Sequence, residues 1–182
     1  MTTIARKRAE QLVQQALAGH RILPWEFESS TRPAVGHSAD PKQHVPALFK
    51  PITINTMTMK NRIMVSPMCM YSCADGHLND YHLMHLGSFA LHGVGAVMIE
   101  ATAVQANGRI SQYDSGLWVD SQIEPIHRVV KLVQSQDCRC GIQLAHAGRK
   151  ASTPPPFYLE RHSTKTTTTV DELGWPNDVI GM

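Results

Sequence analysis

Short, almost wholly apolar runs alternate with stretches of helical periodicity through the middle of this chain. That alternation limits the fold more than any other feature. Ile63, Met64 and Val65 follow the polar Lys60-Asn61 and read as a buried strand. Pro67 ends it, because proline has no N–H to give to a sheet ladder. Tyr81 to His92 has the helical period, with Leu83, Leu86, Phe89 and Ala90 on one face, Asp80 as the cap, and Gly93 and Gly95 as the stop. Ala96 to Ala101 is apolar at nearly every position, as buried parallel strands are. Ser121 to Gln136 predicts a second helix with Ile123, Ile126, Val129, Val130 and Val133 inward, and Gly141 to Ala145 a third strand. The order strand, helix, strand, helix, strand predicts right-handed crossovers and a parallel sheet covered by helices.

The flanks differ in kind. Thr2 to Ala18 has helical spacing and ends at Gly19, while residues 23–46 are rich in Pro, Ser, Gly and His without periodicity, an extended arm. Leu48 to Met59 alternates around Ile52 and Ile54 with a turn at Asn55-Thr56, a short hairpin. Asp75-Gly76 is the turn of a polar loop over residues 72–80. Beyond Arg149 the pattern stops, and three consecutive prolines and a threonine run predict loop or disorder. The expected organisation is a helix and arm over residues 1–46, a β/α portion over 47–153, and an irregular tail over 154–182. A β/α barrel closes with eight strands and typically about 250 residues. The expected class is therefore α/β, about three βα units of the N-terminal portion of a TIM (β/α)8 barrel, truncated, preceded by a helix and arm.

Composition removes several alternatives. A net charge of +2, spread along the chain, makes no nucleic-acid footprint. No apolar run approaches the length of a membrane span, and no signal peptide precedes the first charges. The cluster Arg6-Lys7-Arg8 is followed at once by Glu10 and reads as a solvated helix face. Cys69, Cys73, Cys138 and Cys140 lack zinc-site spacing in the sequence and read as reduced thiols of a cytoplasmic protein.

Chemistry concentrates where the strands end. Cys69 and Tyr71 follow the Pro67 break directly, which is how a β/α barrel presents reactive groups at its C-terminal rim. Alone, Cys69 is a small buried hydrophobe and Tyr71 a half-buried aromatic. Gln143, between Ile142 and Leu144, has an amide that satisfies either a backbone group or a ligand. His82 and His85 lie three apart on one helix face, compatible with a metal pair, but no third ligand is evident nearby and no metal is expected. His146 reads as a packed ring with satisfied nitrogens. Arg109 and Arg149 suit rim ion pairs or substrate steering better than phosphate binding.

Several ordered motifs carry a family resemblance: Leu48-Phe49-Lys50-Pro51-Ile52, Lys60-Asn61-Arg62-Ile63, Ser66 to Tyr71, Ile99 to Val104, Asn107 to Ile110, and Gly141 to Lys150. Together they resemble the old yellow enzymes, FMN-dependent ene-reductases, and in particular the bacterial and fungal branch whose first strand carries a cysteine. The likeness runs from about Pro46 to Thr153, and Gly174-Trp175-Pro176 recurs in fungal-looking members. It implies a β/α eight-stranded barrel with FMN across its rim, reduced by NADPH or NADH. The reduced flavin passes hydride to the β-carbon of an α,β-unsaturated carbonyl compound. By the same resemblance Ser66, Pro67, Met68 and Cys69 contact the flavin's polar edge, Cys69 tuning its potential. Ala101 is the second-strand contact, Gln143 bonds the pyrimidine part, and Tyr71 reaches for the substrate carbonyl.

The sequence also departs from that pattern. The family's substrate-anchoring His/Asn pair, its proton-donating tyrosine, the later flavin-contacting arginine and the phosphate loops have no counterpart here, and Phe89 stands where relatives commonly carry arginine. The expectation is a partial barrel that binds FMN weakly or not at all, with an unpaired sheet edge open to oligomerisation. The alternative reading is a non-catalytic remnant or interaction module that binds no flavin.

Overall fold

The computed structural model describes residues 35–38, 44–158 and 166–180. The helix expected over Thr2 to Ala18 and most of the arm lie outside the described residues. By compactness the chain divides into residues 1–33 and 34–182, and every described residue belongs to the second unit.

The hairpin forms as its alternation requires. Strand β1 (Ile52–Ile54) pairs antiparallel with β2 (Met57–Met59) in the register Ile52↔Met59, Thr53↔Thr58, Ile54↔Met57. Asn55 takes the left-handed conformation at the turn, with φ 53°. The two threonine hydroxyls bond across the strands at 2.9 Å. Arg139 donates from Nε to the Thr58 carbonyl at 2.6 Å, tying the hairpin to the start of the last strand. The strands' C-terminal ends are left for other work.

The main sheet is parallel. Its centre is β4 (Ala96–Ala103), flanked on one edge by β3 (Met64–Val65) and on the other by β6 (Arg139–Ala145). A two-residue strand, β5 (Ser115–Gly116), extends the β3 side by pairing with Thr102 and Ala103. No sequence pattern marks β5, because two residues are too few for a period. Between Ile99 and Ala101 the register slips by one residue, a bulge that singles out Glu100.

Two helices, α1 (Asp80–Leu91) and α2 (Ile123–Ser135), pack on each other and on one face of this sheet. The core between them holds Leu86, Ala90, Val97, Ile99, Val129 and Val133, with Val65, Cys140 and Ile142 against it. A Cβ at Gly87 would stand 2.6 Å from Leu132 Cδ2, so the helices approach this closely only over a glycine.

Four expectations change in detail. The cap of α1 is Asn79: its Oδ1 accepts the Tyr81 N–H at 3.0 Å, and His82 Nδ1 accepts the Asn79 N–H at 3.2 Å. A neutral amide one residue upstream thus takes the place assigned to Asp80. Ile123 is 54% exposed, because the 3-10 turn Asp120–Gln122 leads into α2 and Gln122 goes inward in its stead. Met64 and Leu144 are 54% and 59% exposed, since α1 and α2 cover only one sheet face and stop short of the third strand's end. The segment 166–180 is irregular yet anchored: Trp175 Nε1 donates to the Asn107 carbonyl at 2.9 Å, and the Thr168 N–H donates to the Ser152 carbonyl at 2.7 Å. Among the described residues no helix is long and apolar enough to cross a membrane, and all four cysteines are free thiols.

Candidate functional site

Alternation along β6 sorts its side chains. Cys140 and Ile142 pack on the helix-side core, so Gly141 and Gln143 face away from it. Gly141 pairs with Met98 and Gln143 with Ala101. A Cβ at Gly141 would meet Met98 Sδ at 2.3 Å, and the glycine leaves room for that methionine on the helix-free face. The bulge does the rest. Without it Ala101 would turn toward the helices; with it Ala101 joins Gln143, and Glu100 reaches back beneath α1.

The loop after β3 crosses this patch. Ser66 and Met68 are exposed, Pro67 and Cys69 half-buried, and the Cys69 thiol lies beside the backbone N–H of Ala101. Cys69, Ala101 and Gln143 therefore meet near the C-terminal ends of three strands. Tyr71 follows in the left-handed conformation, φ 52°, an uncommon placement for a bulky residue. Its ring meets Phe157 edge to face at 6.3 Å. Burial first, then the neighbouring Asp114 and Glu100 carboxyls, pushes the Cys69 thiol up. The Tyr71 phenol is raised by burial and then by Cys69, Asp114 and Glu100. Both groups accordingly hold their protons near neutral pH.

Under the loop sits a second group that the sequence reading missed. Cys73, His82 and Glu100 are all buried, with Cys73 Sγ 3.4 Å from His82 Nε2 and that nitrogen 3.6 Å from Glu100 Oε2. The other carboxylate oxygen accepts the Met70 N–H at 3.3 Å, which couples the group to the Cys69–Tyr71 loop. Burial is the first cause of each shift: the Glu100 carboxyl rises to about 7, the His82 imidazole falls to about 4, and the Cys73 thiol is raised strongly. Asp114 is also held up by burial, against hydrogen bonds from the Ser111 hydroxyl at 2.8 Å and the Ile110 N–H at 2.8 Å. His82 and His85, whose spacing alone is compatible with a metal pair, take different partners: His82 approaches Cys73 and Glu100, while His85 stacks on Tyr81.

The remaining candidates are structural. Arg109 lies between the rings of Trp118 and Trp175, 5.1 and 4.9 Å from their centroids, with Asp75 at 3.7 Å. It clamps the 166–180 segment to the loop after β4. His146 bonds Gln105 Oε1 at 3.0 Å through Nε2 and accepts the Gly148 N–H at 3.1 Å through Nδ1, so both nitrogens are satisfied.

Residues 47–172 match the family described as NADH:flavin oxidoreductase / NADH oxidase. The chain is 45% identical over 133 residues to NADH:flavin oxidoreductase FG08077 of Gibberella zeae, covering 73% of this chain and 31% of the relative. It is 53% identical over 106 residues to an NADPH dehydrogenase of Bacillus cytotoxicus, covering 57% of this chain and again 31% of the relative. Among solved structures, morphinone reductase in complex with tetrahydroNAD superposes with a TM-score of 0.55 at 27% identity, over 59% of this chain and 29% of that one. The old yellow enzyme from Trypanosoma cruzi gives 0.55 at 26% identity, over 71% and 33%. The chain thus spans about a third of the length of the relatives it matches.

Proposed function

Because the chain belongs to the NADH:flavin oxidoreductase / NADH oxidase family, we propose that it supplies the first three strands of an FMN site. The activity that site serves is reduction of the C=C bond of electron-poor alkenes at the expense of NADPH or NADH. The observation that carries this reading is that the Cys69 thiol lies beside the Ala101 N–H and that Ala101 pairs with Gln143, near the C-terminal ends of β4 and β6.

The residues suit the group. A flavin's pyrimidine edge alternates donors and acceptors, and the Gln143 amide offers one of each. Ala101, paired with Gln143, carries nothing beyond Cβ and leaves room beside that amide for a planar ring. FMN, when bound, supplies the hydride chemistry between nicotinamide and alkene. The protein's part is placement. Gln143 fixes the ring's edge, and the Cys69 S–H offers a weak donor whose proton is retained by burial. The Tyr71 hydroxyl, kept protonated in the same way, donates to the substrate carbonyl and stabilises negative charge developing on its oxygen. Since the chain spans about a third of its relatives, ring-edge contacts are the grip that this portion contributes, and FMN held by it alone is held weakly.

The test is spectroscopic. The purified full chain, dialysed to equilibrium against FMN so that a weak complex persists, is expected to show a flavin absorption band in excess of the dialysate, which NADPH bleaches and an enone restores. No excess over the dialysate, or a band that NADPH leaves unchanged, overturns the proposal in favour of a module without cofactor.

A further inference from the structure

Beneath the flavin patch, and independently of it, we propose that Cys73, His82 and Glu100 form a buried site for a divalent cation of the zinc class. The three ligand atoms all lie within 4.8 Å of one another and come from three elements: the loop after β3, the first turn of α1, and the bulge of β4. A tetrahedral ion bound at about 2.3 Å from sulfur and about 2.0–2.2 Å from nitrogen and oxygen sets sulfur and nitrogen roughly 3.6 Å apart and nitrogen and oxygen roughly 3.4 Å apart. The observed separations are 3.4 and 3.6 Å. Little movement is required of side chains that are already buried.

Charge argues the same way. A thiolate, a carboxylate and a dication sum to zero, the condition under which ions are tolerated away from water. Without a cation, a buried thiol and carboxyl avoid uncompensated charge by keeping their protons. Loading is then an exchange: the sulfur–metal and oxygen–metal bonds form as the S–H proton, and the carboxyl proton where present, leave to solvent. No electron is transferred.

Outer contacts orient each ligand. His82 Nδ1 lies 3.1 Å from Asn79 Oδ1, an acceptor for the Nδ1–H tautomer that frees Nε2 for a metal. In the metal-free ring the Asn79 N–H takes that nitrogen instead, at 3.2 Å. The Ser115 hydroxyl hydrogen-bonds the Cys73 sulfur and favours its thiolate. The Met70 N–H holds Oε1 of Glu100, leaving Oε2 toward the histidine. Sulfur and imidazole select zinc or cobalt over magnesium and calcium, which take oxygen ligands.

Cobalt(II) is the probe. The reduced full chain, stripped with chelator and freed of flavin, is titrated anaerobically with Co2+. The expected result is one equivalent bound, with intense visible bands of a tetrahedral ion and a near-ultraviolet thiolate-to-cobalt band, displaced by Zn2+ but not by Mg2+. Cys73→Ser loses the thiolate band and weakens binding at least tenfold, while Cys69→Ser and Cys140→Ser retain both. Glu100→Gln, which keeps shape without charge, weakens binding with no change in circular dichroism and serves should Cys73→Ser fold poorly. Absence of bound cobalt in the wild-type chain overturns the site. So does a thiolate band that survives Cys73→Ser or an affinity unaltered by Glu100→Gln.

Discussion

Glu100 occupies the bulge of β4, where one residue more than its partner strand requires turns a carboxyl into the helix-side interior. Its folded value of about 7 lies above the ordinary 4.5, so the stability it contributes is present below pH 4.5 and lost as pH rises through 7. His82 runs the other way: its value falls from 6.5 to about 4, so its contribution is present above pH 6.5 and lost as pH falls through 4. In chelator-treated protein the two slopes oppose each other between about pH 4.5 and 6.5. Glu100→Gln removes one of them. Urea denaturation from pH 4 to 8 should show the wild type losing on the order of 3 kcal/mol relative to Glu100→Gln as pH rises from 4.5 to above 7. Parallel curves would contradict the burial argument. Nothing in the letters Ile99-Glu100-Ala101 announced this, because an acid in an apolar strand reads equally as an edge residue. Cys69, Tyr71 and Gln143 stand out as candidates through their motifs. The pairing of Gln143 with Ala101, which lies beside the Cys69 thiol, depends on a one-residue slip that no periodicity records.

At the scale of elements, the pattern was legible wherever a run was long. The eight residues of β4 and the apolar faces of both helices left little choice. Short elements and boundaries were not: the two residues of β5 carry no period, and Asn79 and Asp80 are both good caps, so local hydrogen bonding decided. The Asn79 cap also orients His82. Asn79→Ala is expected to cost about 1 kcal/mol in thermal or urea unfolding, with the loss centred on α1. An unchanged midpoint would mean another group caps the helix. The threonine-rich tail read as loop because its anchors are single residues far apart in sequence, Trp175 on Asn107 and Arg109 between two indoles. Trp175→Ala should raise amide exchange across residues 166–180 and at the loop after β4, while β4 and α2 keep their protection. Uniform loss of protection would show that the tail is integral to the core instead.

At the scale of the molecule, the described residues place α1 and α2 on one sheet face and Ala101 and Gln143 on the other. Met68 stands exposed one residue before Cys69, an apolar neighbour for a planar ligand. Helices on one face put the strand ends, and everything attached to them, on a common rim. A chain that spans about a third of its relatives' length thus still brings its candidate residues together at the strand ends. The most direct measurement is alkylation of the full chain followed residue by residue by mass spectrometry, with and without saturating FMN, at a pH high enough to ionise the raised thiols. At ten times its dissociation constant FMN should slow modification of Cys69 about tenfold while leaving Cys140 unchanged, and Gln143→Leu at the same FMN concentration should cut that protection to about twofold, since one lost ring-edge hydrogen bond is worth roughly tenfold in affinity. Equal rates at Cys69 with and without FMN, or protection indifferent to Gln143, would contradict the placement of the flavin on this face.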